Sequence, residues 1–226
     1  MYNDVKINGT NETFSVNNIY CIGKNYLEHI KELDKDYKIP EEPVVFTKPN
    51  SALVSDSGVI SVPVYNGQKI SKSLQNEVEF VVAIGKDGCD IPESSAANYI
   101  LGYAVGLDMT LRDRQSEFKK KGLPWALSKG FRTSCPISEI IKKEIIHNPM
   151  DLDINLAINN GIIQSTNTGL MLFNIYKLIS FISTIFSLKK GDLIFTGTPE
   201  GVTDIKSGDI LTASLSGYIK LTVKAE

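Results

Sequence analysis

The sequence predicts an α+β fold, on three observations. Short runs rich in Val, Ile, Phe and Tyr outnumber helical patterns, strands and helices follow each other without regular βαβ alternation, and Asn8-Gly9 and Asn159-Asn160-Gly161 give hairpin signals between such runs. At 226 residues the chain fits one large domain or two small ones; a single domain over 1–226, with 1–17 as an N-terminal hairpin extension, is the expectation.

The elements follow in order. "DVKI" and "TFSV" flank the Asn8-Gly9 turn as a hairpin, and "NIYCIG" reads as a short buried strand. "KNYLEHIKELDKDY", residues 24–37, sets Tyr26, Leu27, Ile30 and Leu33 near helical spacing and is stopped by "KIPEEP". "PVVFTKPNSALV" and "GVISVP" are short strands punctuated by Pro49 and Pro63. "NEVEFVVAIG" is a strand carrying two glutamates, followed by a turn at "GKDGCD" and a helix expected from "PESSAANYI". "LGYAVGLDMT" is a second apolar strand, and "TLRDRQSEFKKKG" a polar helix ending at Gly122. Strand-like alternation returns in "DLDINLAINN", "FNIYKLISFISTIFSL" is the longest helical pattern, and the strands "DLIFTG", "DILTASL" and "YIKLTV" close the chain. No repeat, low-complexity tract or linker interrupts the order.

Composition narrows the function. Apolar residues make up 42 %, charged residues 22 %, and the formal net charge is -2, with no basic stripe that would suit nucleic acid or an anionic membrane. The opening "MYNDVKINGTNETFSV" lacks a basic stretch leading into an apolar run, and no segment approaches the ~18 apolar residues of a membrane span. A cytoplasmic location is therefore expected. Cys21, Cys89 and Cys135 are odd in number and scattered, which fits reduced thiols better than a disulfide framework or a zinc site.

Candidate chemistry gathers in four places. Glu77 and Glu79 lie two apart on a strand and so share a face, where two carboxylates repel unless a cation lies between them. A half-exposed strand also alternates in this way, but the "FVVAIG" that follows is apolar on both faces. Asp108, an acid at the end of an apolar run, is a third carboxylate, and three such oxygen donors suit a hard ion such as Mg²⁺ or Mn²⁺. His29 and Glu32, three apart on a helix, can meet as a general base and its orienting carboxylate, or can simply lie on a solvated charged face. Lys129 stands among small and apolar residues in "PWALSKGF", placed either to neutralise an anion or to snorkel to the surface. "DLIFTGTPEGV" runs from a strand into a turn that exposes Thr196 and Thr198, without the GK[ST] of a nucleotide-binding loop.

Together, "IGKNYLEHIKEL", "FTKPNSALV", "NEVEFVVAIG", "GYAVGLDMTLRDRQ", "KGLPWALSKGFRTSCPIS" and "GDLIFTGTPEGV" resemble the fumarylacetoacetate hydrolase family, most closely its short acylpyruvase and oxaloacetate decarboxylase members. The resemblance runs from about residue 17 to the C-terminus. It implies a mixed β-sandwich roll, a homodimer, and Mg²⁺ or Mn²⁺ held by Glu77, Glu79 and Asp108. It further implies that His29 and Glu32, on a mobile lid, activate water, that Lys129 is the active-site lysine, and that Arg112, Gln115 and Thr196 line the substrate pocket. The expected activity is hydrolysis of a C–C bond in acylpyruvates to pyruvate and a carboxylic acid, with oxaloacetate decarboxylation beside it. The alternatives are an isomerase or tautomerase of related keto acids, or a non-catalytic binding relative. Three positions depart from the family pattern: Arg132 where an aspartate is frequent, Asn76 where a histidine often precedes the first glutamate, and Lys24 where arginine is common.

Overall fold

Strands dominate the computed structural model, which describes residues 4–33 and 36–226. One sheet has six strands in the order Ile141–Lys142, Ile100–Leu107, Val78–Ile84, Leu193–Phe195, Ile19–Gly23 and Val44–Lys48. All its pairs are antiparallel except Leu193–Phe195 with Ile19–Gly23. A second, five-stranded sheet runs Gly161–Asn167, Asp153–Ile158, Ile210–Leu215, Ile219–Ala225 and Val59–Ile60, with only the last pair parallel. The two sheets are mixed and the helices few and short, the α+β class that the pattern of short runs predicts.

The strand Val78–Ile84 is central and buried at every position, because apolar groups cover both of its faces. Val78, Phe80, Val82 and Ile84 point into the larger core, shared with Leu156, Leu211 and Leu221 of the second sheet. Val81 and Ala83 point the other way, into a smaller core with Cys21, Ala104, Cys135 and Phe195. Glu77 and Glu79 share that second face by alternation. The N-terminal hairpin, Asp4–Lys6 paired with Thr13–Ser15 around Gly9 at φ +72°, closes the smaller core with Val5 and Phe14. Residues 1–3 lie outside the described residues.

Helix Ile175–Phe186 presents Ile175, Leu178, Ile179 and Ile182 to the larger core at helical spacing, and the Asn174 side chain caps it by accepting from the N–H groups of Tyr176 and Lys177. Helix Arg112–Lys121 stops at Gly122, φ +64°, as its sequence predicts. Two expectations shift. The segment expected as a helix from "PESSAANYI" is a 3₁₀ helix over Glu93–Tyr99, where two serines and an asparagine compete with α-helical backbone bonding. The helix expected over 24–37 begins at Leu27 and is described to Leu33; positions 34 and 35 lie outside the described residues. Its start is delayed because Asn25 is buried and bonded elsewhere. Its side-chain amide donates to the carbonyls of Phe173 and Thr196 and accepts from Phe173 N–H, pinning this end of the helix to two distant segments.

Candidate active site

Sheet register assembles the carboxylates. Val78 pairs with Leu107 and Glu79 with Gly106, so the next pair outward sets Glu77 against Asp108, whose N–H donates to the Glu77 carbonyl at 2.8 Å. Glu77, Glu79 and Asp108 are all buried, and each offers an oxygen within 4.8 Å of the others. Gly106, directly opposite Glu79, has no room for a side chain, since a Cβ there would lie 2.4 Å from the Phe195 ring.

Three cations answer these charges unevenly. Lys129, held on the short helix Ala126–Lys129, places Nζ 2.6 Å from Glu77 Oε2, 2.6 Å from Asp108 Oδ2 and 2.7 Å from Thr110 Oγ1. Arg112 donates from Nη2 to Glu77 Oε1 at 2.5 Å, from Nε to Gln75 and from Nη1 to Gln115. Lys48, fully buried, lies 2.7 Å from Asp108 Oδ1 and donates to the carbonyl of Lys129. Glu79 has no ion pair among the described residues; its one donor is Gly197 N–H, at 2.8 Å from Oε2.

Acidity follows this division. Burial works against ionising Glu77, but Lys129, Arg112 and His29 outweigh it and hold the carboxyl well below its usual range. Burial, then Asp108 and Glu77, push Glu79 well above its usual range. Burial opposes the charge on Lys129, yet Asp108 and Glu77 raise its pKa, so it stays an ammonium. An all-oxygen set of buried carboxylates, one of them without a cation of its own, fits a hard divalent ion. The acidic triad can hold such a metal.

His29 and Glu32 meet, with Nδ1 3.1 Å from Glu32 Oε2. Glu32 Oε1 accepts from Gly201 N–H at 3.0 Å, tying this helix to the turn after Phe195. Burial tends to raise the Glu32 pKa, but the bonds from His29 and Gly201 bring it below the usual value. His29, Glu77, Glu79, Arg112, Gln115 and Lys129 all line one cavity of about 480 Å³. Its walls include Ile22, Val44, Phe46 and Trp125.

Thr196 is placed otherwise. Its hydroxyl is buried and donates to the Phe80 carbonyl, and it is Thr198, two residues on, that lines the cavity. Lys48 and Gln164 carry no signal in the sequence beyond a lysine and a glutamine inside strands. Gln164 is buried; its carbonyl oxygen accepts from Asn76 and from Val78 N–H, and its amide donates to Thr198 and to the Pro199 carbonyl. The chain thus fastens the Thr198 turn to the residues on either side of Glu77.

Comparison with known proteins identifies the family. The fumarylacetoacetate (FAA) hydrolase C-terminal family matches residues 18–224. The mitochondrial oxaloacetate tautomerase FAHD1 of Mus musculus is 43 % identical over 209 residues, 92 % of this chain and 91 % of its own. The mitochondrial oxaloacetate decarboxylase of Dictyostelium discoideum is 42 % identical over 88 % of each chain. Among solved structures, the fumarylpyruvate hydrolase of Pseudomonas aeruginosa, in complex with Mn²⁺ and pyruvate, superposes with a TM-score of 0.92 at 33 % identity, covering 98 % of this chain and 94 % of that one. The chain belongs to the fumarylacetoacetate hydrolase family.

Proposed function

We propose that this protein is a divalent-metal-dependent hydrolase that cleaves the C3–C4 bond of acylpyruvates, giving pyruvate and a carboxylic acid. The observation that carries the reading is a single cavity lined both by Glu77 and Glu79 of the buried triad and by His29, itself held by Glu32. Glu77, Glu79 and Asp108 would hold Mg²⁺ or Mn²⁺, which when bound supplies a Lewis acid for the carboxylate and 2-oxo oxygens of the substrate. The Glu32 carboxylate beside Nδ1 favours the His29 tautomer protonated there, leaving Nε2 to take a proton from water. That water adds to the C4 carbonyl, the C3–C4 electron pair stays on the pyruvate fragment, and the proton on His29 returns to it. Arg112 and Gln115 orient the acid head, and Lys129 keeps positive charge beside it. A role for Thr196 is indirect, through the turn that presents Thr198.

A second reading is favoured by the 43 % identity to an oxaloacetate tautomerase over 92 % of the chain. The same base would move a proton between C3 and the 2-oxo oxygen without water, or the bound acid would lose CO₂. Both readings keep the enzyme a homodimer in the cytoplasm. No helix among the described residues is long and apolar enough to cross a membrane.

Pyruvate release from acetylpyruvate, fumarylpyruvate and oxaloacetate, with Mn²⁺, Mg²⁺ or EDTA, tests the proposal. Metal-dependent cleavage of an acylpyruvate that Glu32→Gln lowers by about 10²-fold or more supports the hydrolase. Turnover confined to oxaloacetate, whether as decarboxylation or as decay of its enol absorbance, replaces it with the second reading.

A further inference from the structure

A buried hydroxyl beside the metal triad has nothing to donate to. Tyr26 is 2 % exposed and directly precedes the helix Leu27–Leu33 that carries His29, and its Oη has no hydrogen-bond partner. The other buried side-chain oxygen of this kind among the described residues, Asp108 Oδ1, has the Lys48 ammonium 2.7 Å away. A buried donor left unused costs folding free energy, so its retention points to a state in which the bond is made. An acceptor stands close to it. Gly197 donates its N–H to Glu79 and packs so tightly on Asn25 that a Cβ on the glycine would fall 2.7 Å from Asn25 Cβ. Tyr26, next in the chain, therefore lies beside the turn that serves Glu79. Burial, with the charge of Glu79 added to it, pushes the Tyr26 pKa well above the usual tyrosine value, so the hydroxyl keeps its proton to give. Glu79 in turn is the triad member without an ion pair and with one donor among the described residues, which leaves its carboxylate with lone pairs to spare.

We propose that Tyr26 is a positioning residue of the metal site, whose hydroxyl donates to the Glu79 carboxylate when the triad holds a divalent ion. A ligand carboxylate held by one N–H can still turn about its own side-chain bonds, and a second donor removes that freedom. The contact also joins the ion to the base. Asn25 and Tyr26 form one anchor, fixed by the Asn25 side chain to Phe173 and Thr196, and the helix bearing His29 starts from it. The proposal rests on the metal-dependent reading above and adds to it a residue that touches neither the metal nor the substrate.

The test compares Tyr26→Phe with the wild type in two measurements. In EDTA the variant should melt no more than about 4 °C below wild type, or above it, because no bond of the metal-free protein is lost. Titration calorimetry with Mn²⁺ alone should show its Kd raised by about 10- to 100-fold. Tyr103→Phe is the control: Tyr103 is also buried and stacks on Phe80 in the larger core, but its hydroxyl answers to Tyr176 and Glu144 rather than to the triad. Its Mn²⁺ affinity should stay within about twofold of wild type. A Tyr26→Phe protein that binds Mn²⁺ within about twofold of wild type overturns the assignment while the metal site stands. So does a larger fall in melting temperature in EDTA, which would show the hydroxyl already bonded without metal, or an equal loss of affinity in Tyr103→Phe, which would show general loosening of the core. A wild type that does not bind Mn²⁺ removes the metal-dependent reading itself, and this assignment with it.

Discussion

Replacing Glu79 by glutamine should make the metal-free protein more stable while abolishing its response to metal. Glu79 is buried, has oxygens within 4.8 Å of those of Glu77 and Asp108, and lacks a cation partner of its own. At an effective dielectric of about 20, two unit charges at that separation repel by roughly 3 kcal/mol per pair. Protonation caps the penalty. Because its folded-state pKa is raised, proton uptake on folding at pH 7 can cost a carboxyl of ordinary value 4.5 at most about 3 kcal/mol. Glutamine removes that cost and still accepts from Gly197 N–H, so a net gain of about 1–3 kcal/mol is expected in EDTA. For a chain of this size that is a rise in Tm of about 2–12 °C. Wild type in excess Mn²⁺ should gain about 3 kcal/mol at a hundred times Kd, and the variant almost none. The pH dependence has a definite sign. The folded-state pKa of Glu79 is raised, so stability present below about pH 4.5 is lost as pH rises towards the folded value, and the advantage of the variant should widen between pH 5 and 7. Paired melting curves in EDTA and in Mn²⁺ decide the matter. A variant less stable than wild type in EDTA would refute the view that the triad is an uncompensated charge cluster awaiting a cation.

Two further outcomes follow from the same geometry. Lys48→Met leaves the buried Asp108 Oδ1 without its cation and should cost about 3–5 kcal/mol in urea denaturation with EDTA, partly recovered in Mn²⁺, whereas a loss below about 1 kcal/mol would remove Lys48 from the charge balance. Gly201→Ala sets a Cβ 2.4 Å from the Ile163 carbonyl at φ +96° and displaces the N–H that Glu32 accepts; it should lower Tm by at least about 4 °C and slow turnover, and an unchanged melting curve would exclude a role for this contact.

Much of the site was legible because it rests on local rules. The two-residue spacing of Glu77 and Glu79 and the three-residue spacing of His29 and Glu32 put each pair on one face, and the distances follow from strand and helix periodicity. Asp108 needed more, since its place opposite Glu77 comes from a pairing register between strands 16 residues apart from end to start, which only an acid closing an apolar run hinted at. Lys48, Asn25 and Gln164 were not legible in the same way. Their partners lie in segments that sheet topology brings near: Asp108 for Lys48, Phe173 and Thr196 for Asn25, Asn76 and Thr198 for Gln164. Thr196 and Thr198 show the limit of motif reading. Both are threonines in one turn, and only the backbone path decides which hydroxyl is spent on Phe80 and which meets the cavity.

The division of Val78–Ile84 into two faces bears on how such a protein can change over time. Positions 78, 80, 82 and 84 answer to the larger core, while 77 and 79 answer to the reactive groups on the opposite side. Tolerance to substitution should therefore alternate in kind along the strand. Even positions should register as loss of folded protein in a cell, odd ones near its start as loss of turnover in protein that still accumulates. A lineage can then remodel its substrate preference one residue at a time without renegotiating the packing behind it. The one change it cannot absorb is an inserted or deleted residue within the strand, which would exchange the two roles in a single step.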